Sequence, residues 1–165
     1  MKDLNKVVSQ SSRLPGVVAT LAAALNLAWV AYYWGNILQT TRDSIAQGGS
    51  GPLIDHSMMR MHLMIEAALI ITAVGMLSRK VAGIVIAALA LVWIGVQYAG
   101  WWIWTQRTIE AAGLTAIPSS IPHAANLYEA TGWNVAILAI ATVLFVWEIK
   151  VLAGALIGSR GSSTQ

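Results

Sequence analysis

Long apolar runs separated by short polar stretches dominate the chain. Four of them stand out, roughly Gly16 to Leu38, Met61 to Leu77, Val81 to Trp104 and Trp133 to Ile157. Each is close to the ~20 residues that a helix needs to cross a bilayer. Inside lipid the backbone must satisfy its own hydrogen bonds, so runs of this length are read as helices and not as strands. No internal repeat is evident. The pattern predicts an all-α integral membrane protein, a four-helix bundle forming one domain over residues 1–165. The tail Gly158–Gln165 reads as disordered. The first run starts only at about Gly16, is too long for a signal-peptide core and lacks a cleavage site, so it is read as a retained helix.

Composition sharpens this picture. Only 10% of the residues are charged, against about 25% in a soluble domain, so most of the chain lies where charge is costly. There is no cysteine, which removes disulfides, thiolate metal sites and cysteine nucleophiles. The formal charge of +3 is spread too thinly for a nucleic-acid surface.

The positions of the charges predict an orientation. Lys2, Lys6 and Arg13 precede the first helix, Arg79 and Lys80 link the second to the third, and Lys150 and Arg160 close the fourth. Arg42, Arg60 and Arg107 lie on the opposite side. The positive-inside rule then puts both termini and the Ser78–Lys80 turn in the cytoplasm, with the protein in the inner (plasma) membrane. Two longer loops, roughly Gln39–Arg60 and Thr105–Gly132, are expected to face outward. The first holds the turn-rich Gly48-Gly49-Ser50-Gly51-Pro52, the second Pro118 to Pro122.

Ionisable groups inside spanning helices are uncommon and point to function. His62 and Glu66 are four residues apart, hence on one helix face. At the same expected depth lie Gln97, Tyr98 and Trp101 of the third helix, Asn36, Tyr32 and Tyr33 of the first, and Trp133 and Asn134 of the fourth. A polar layer at one end of an apolar bundle is where a pocket is expected. Interfacial Trp and Tyr also serve as ordinary membrane anchors, and His62 could simply hydrogen-bond a neighbouring helix. Glu148 and Lys150 are expected to snorkel to the headgroups. The stretch Asp55 to Met64 contains His56, His62 and four Met, a donor set that suits copper, although flexible packing explains the Met equally. Zinc is less suited, since the HExxH spacing is absent. A lone imidazole in apolar surroundings also suits an axial haem ligand.

The chain resembles the styrene oxide isomerases, small four-helix membrane proteins of similar length. The resemblance rests on Arg60-Met61-His62 opening the second helix, on the preceding turn Gly49-Ser50-Gly51-Pro52, on Gly113-Leu114-Thr115 after the third helix, and on Gly95-Val96-Gln97-Tyr98 within it. It implies a homotrimer with haem b on His62 and Arg60 beside it. The iron would open an epoxide as a Lewis acid and rearrange it to an aldehyde without net redox change. Tyr98 and Asn36 would orient an apolar substrate arriving through the bilayer, and Glu66 would be an acid or base outside the family pattern. Departures are Ala68 where the family has Asn, no Asp early in the third helix, and a one-residue slip at the Tyr.

Two other functions fit the residues. One is an accessory subunit of a larger membrane complex, its small residues such as Ala22-Ala23-Ala24 and Ala87-Ala88 packing against partners. The other is a periplasm-facing copper binder or a small transporter, of which the transporter should show mid-membrane charge or broken helices.

Overall fold

The computed structural model describes residues 2–48, 56–111, 113 and 122–161. The described residues form five helices and no strand: α1 (Lys2–Ser9), α2 (Leu14–Ala46), α3 (His56–Leu77), α4 (Val81–Ala111) and α5 (Pro122–Gly161). Helices α2 to α5 are each long and apolar enough to cross a membrane. They make the chain a multi-pass membrane protein by length and composition. Their outward faces carry Leu21, Leu25, Leu89, Val92, Val96 and Val143, all exposed. Apolar surface this extensive belongs against lipid or protein and not against water.

The helices overrun the apolar segments. The pattern ends the first run at Leu38, but α2 continues through Gln39, Thr40, Thr41, Arg42 and Asp43. It stops at Gln47 and Gly48, where the glycine takes a left-handed φ of 79°. The fold thus corrects the expected loop Gln39–Arg60, whose first residues are helical and whose last belong to α3. Likewise α4 runs past Trp104 to Ala111, with Gly113 at φ 68° just after it, the usual glycine position past a helix C-terminus. Pro122 opens α5, where its missing N–H is not needed. The Gly49–Pro52 turn, Leu114-Thr115 and Pro118 lie outside the described residues. Gly158–Gly161, expected as tail, completes α5.

The α3–α4 link defines what we term the near end of the packing. Arg79 bridges the two helices at φ 51°. Its Nη2 donates to the Ser11 carbonyl at 2.6 Å. The Val81 N–H, free at the start of α4, donates to Asn5 Oδ1 at 3.1 Å, so α1 caps α4 from outside. Leu4, Val7 and Val8 share one face of α1, and Val8 is fully buried.

Helix α3 is central and packs along both α2 and α4. Its inner positions Ile65, Ala68 and Leu69 meet Ala23 of α2, Leu91 and Ile94 of α4, and Ile137 and Ala141 of α5. A second apolar layer nearer the α3–α4 link holds Ala19, Ala73, Met76, Ala87 and Leu144. Within it α3 and α4 approach backbone to backbone. A Cβ at Gly83 would stand 2.5 Å from the Gly75 carbonyl oxygen. Gly83→Val should therefore lower stability by ~1–3 kcal/mol, the cost of overpacking. Gly154→Ala, which meets open space, should be neutral. Thermal melts in detergent decide; equal melting of Gly83→Val and wild type would refute the close approach.

Candidate functional site

Helix α2 turns one stripe inward: Ala19, Ala22, Ala23, Asn26, Val30, Tyr33 and Trp34. These positions recur at the three- and four-residue spacing of one helix face. Helix α3 contributes His62 and Glu66 from one of its faces, at 1% and 6% exposure. The two stripes meet toward the far end, away from the α3–α4 link.

His62 sits among aromatic rings of α2. Its imidazole is edge-on to Trp29 at 5.3 Å, Tyr33 at 5.6 Å and Trp34 at 6.1 Å between centroids. Trp29 stacks on Tyr33 and also meets Trp133 of α5 at 6.3 Å. Edge-to-face geometry at these separations is the favoured arrangement of aromatic pairs. Neither His62 ring nitrogen has a hydrogen-bond partner. One turn deeper, Asn26 Nδ2 donates to Glu66 Oε2 at 2.6 Å, both residues buried. A buried polar atom without a partner is costly, the more so where water is absent. An imidazole with both nitrogens open at full burial therefore has capacity for a ligand.

The expected site residues do not all gather. His62 and Glu66 do. Arg60, two residues before His62, is exposed, and so is Asn36. Asn36 thus points away from His62 although it lies at a suitable depth. Tyr98 and Gln97 are half-buried on α4, and Tyr32 is exposed. The side chains of Trp101, His56 and Met58 lie outside the described residues. Met61 belongs to the apolar core while Met59 faces outward. Among the described residues no three of His, Asp and Glu converge on a point. A haem needs only one such ligand, and His62 fits that requirement: an open imidazole in apolar, aromatic surroundings.

Sequence reasoning missed Asn26, Trp29 and Trp34. Asn26 is a neutral side chain in a long apolar run and hardly changes hydropathy. Its signal was phase, since it shares a face with Tyr33. Glu148 also departs from expectation. It does not snorkel but is 3% exposed, within electrostatic range of Arg79. Lys150 is exposed, as expected. Of the small residues assigned to partner packing, Ala22, Ala23 and Ala87 are buried within the chain, Ala88 is half-buried and Ala24 is exposed.

Comparison of the chain with protein-family models, with curated proteins and with solved structures finds no match.

Proposed function

We propose that this chain is a membrane-embedded, haem-dependent isomerase that rearranges an epoxide to a carbonyl compound. The observation that carries the reading is His62, fully buried among Trp29, Tyr33 and Trp34 with both ring nitrogens open. The resemblance to styrene oxide isomerases supplies the reaction class.

His62 is the residue that would hold the haem, and the exposed Arg60 would be a cation available to its carboxylates. Bound haem would supply a Lewis-acidic iron toward the epoxide oxygen. The chain's own groups then have distinct tasks. Opening the C–O bond puts positive charge on carbon. The faces of Trp29, Tyr33 and Trp34 can stabilise that charge. A hydride shift from the neighbouring carbon completes the carbonyl, so nothing is added or lost. Apolar walls keep water from intercepting the cation. Glu66, held by Asn26, would lend a proton to the oxygen as the C–O bond opens and take it back as the carbonyl forms, so the balance is unchanged. Tyr98 remains a second hydrogen-bonding candidate from α4.

Four helices in a bundle, both termini cytoplasmic, complete the reading, with the inner (plasma) membrane as location and a homotrimer by resemblance. Lys2, Lys6, Arg13, Arg79, Lys80, Lys150 and Arg160 on the near side support the orientation. Reporter fusions at either end should read cytoplasmic; periplasmic readings would reverse the topology.

The test of function is one absorption spectrum and one assay. Protein purified in mild detergent from haem-replete cells should show a Soret band and convert an aryl epoxide to its aldehyde. Folded protein that stays colourless after haem addition would reject the proposal.

A further inference from the structure

Among the described residues, seven buried side-chain nitrogen or oxygen atoms have no hydrogen-bond partner. All except Arg79 Nε belong to Asn26, Trp34, His62 and Asn134. Asn134 stands apart from the other three. It comes from α5, is 2% exposed, and leaves both Nδ2 and Oδ1 open.

Its placement follows from its neighbours. The adjacent Trp133 meets Trp29, whose ring borders His62. Helix α5 therefore passes the level of His62 at this point. Asn134 heads the buried stripe Asn134, Ile137, Ala141, Leu144 and Glu148, spaced alternately by three and four residues as one inward face. Ile137 and Ala141 share an apolar cluster with Met61 and Ile65, which stand on either side of His62 in sequence. The amide thus faces the interior, one turn from Ile137 of the apolar cluster that Met61 and Ile65 share.

We propose that Asn134 is the ligand-orienting residue of this site, its amide donating a hydrogen bond to the oxygen of an otherwise apolar molecule. The inference rests on the isomerase reading for the ligand class, and deepens it. An apolar span keeps a primary amide with two open atoms only at a cost. An oxygen-bearing apolar ligand removes that cost at Nδ2. A pure hydrocarbon does not. Site selectivity follows: binding at Asn134 should discriminate an ether from a hydrocarbon of the same shape, because a site built to hydrogen-bond an oxygen rejects the analogue lacking it.

Methoxybenzene and ethylbenzene provide the comparison. Their binding to purified full-length protein can be followed by tryptophan fluorescence, since Trp29, Trp34 and Trp133 surround the site. Wild type should bind methoxybenzene about tenfold more tightly, the effect of one hydrogen bond of ~1.4 kcal/mol. Asn134→Leu should erase the preference while holding ethylbenzene within about twofold of wild type. It should also melt no lower than wild type, because it removes an unpartnered amide. Asn134→Ala should erase the preference too, and serves if the Leu variant packs badly. Wild type without a preference, or variants that retain it, would overturn the role of Asn134. A colourless, inactive wild type that still prefers the ether would sink the isomerase reading and leave this one standing. Isomerase activity with a preference untouched by either variant would do the opposite.

Discussion

Purified His62→Leu protein should be colourless, should lose isomerase turnover by about a thousandfold or more, and should still fold. The rate follows from losing the Lewis acid, which contributes several kcal/mol of charge stabilisation in the transition state. There is no cysteine to replace the ligand, and Met61, next to His62, is committed to the apolar core. The chain's other two histidines are His56 and His123, and replacing either with Ala should keep the Soret band. Folding should survive because leucine fills a similar volume and removes two buried, unpartnered nitrogens. That gain is ~1–3 kcal/mol. It offsets the lost ring-edge contacts with Trp29, Tyr33 and Trp34, each ~0.5–1.5 kcal/mol. Compared with haem-free wild type, the melting temperature should therefore change little; haem-loaded wild type is raised by its ligand and is the wrong reference. A Soret band of wild-type intensity in His62→Leu would remove His62 from the haem site.

The same residue shows what could be read from the sequence. Hydropathy finds how deep a residue lies along a helix. It does not find rotation about the helix axis. His62 and Glu66 were legible together because a four-residue spacing fixes their shared face, and both are buried. Asn36 lies at a suitable depth but is exposed, while its neighbour Ile37 is the residue that continues the inward packing of Val30, Tyr33 and Trp34. Helix limits divide in the same way. The α3–α4 link was legible to the residue because the Arg79-Lys80 pair interrupts two apolar runs. The far ends were not, because polar helix formers such as Gln39 and Arg42 extend a helix beyond the lipid without changing its geometry. Helix α1 escaped because eight residues with two lysines give no apolar run. The spacing of Leu4, Val7 and Val8 was its only mark.

Glu66→Gln should show the opposite profile from His62→Leu: the haem spectrum unchanged, melting unchanged, and turnover lower by ~10²–10⁴, the range for removing an acid–base group. Glutamine keeps the shape of the side chain and an oxygen to accept from Asn26 Nδ2, which now lies 2.6 Å from Glu66 Oε2. What it loses is the carboxyl that can give up and take back a proton. Asn26→Leu tests the orientation separately. It leaves the carboxyl in place but unheld, so kcat should fall about tenfold while KM stays near its wild-type value. Were Glu66 only a link between α2 and α3, Glu66→Gln would turn over as wild type does. Asn26→Leu would then register in the melt alone, by about 0.6 kcal/mol and at most ~1.7, the range for hydrogen bonds between membrane helices. The link and the proton carrier thus separate on kinetics. An exposure of 6% with a short hydrogen bond is compatible with both; the fall in turnover at constant stability belongs to the proton carrier alone.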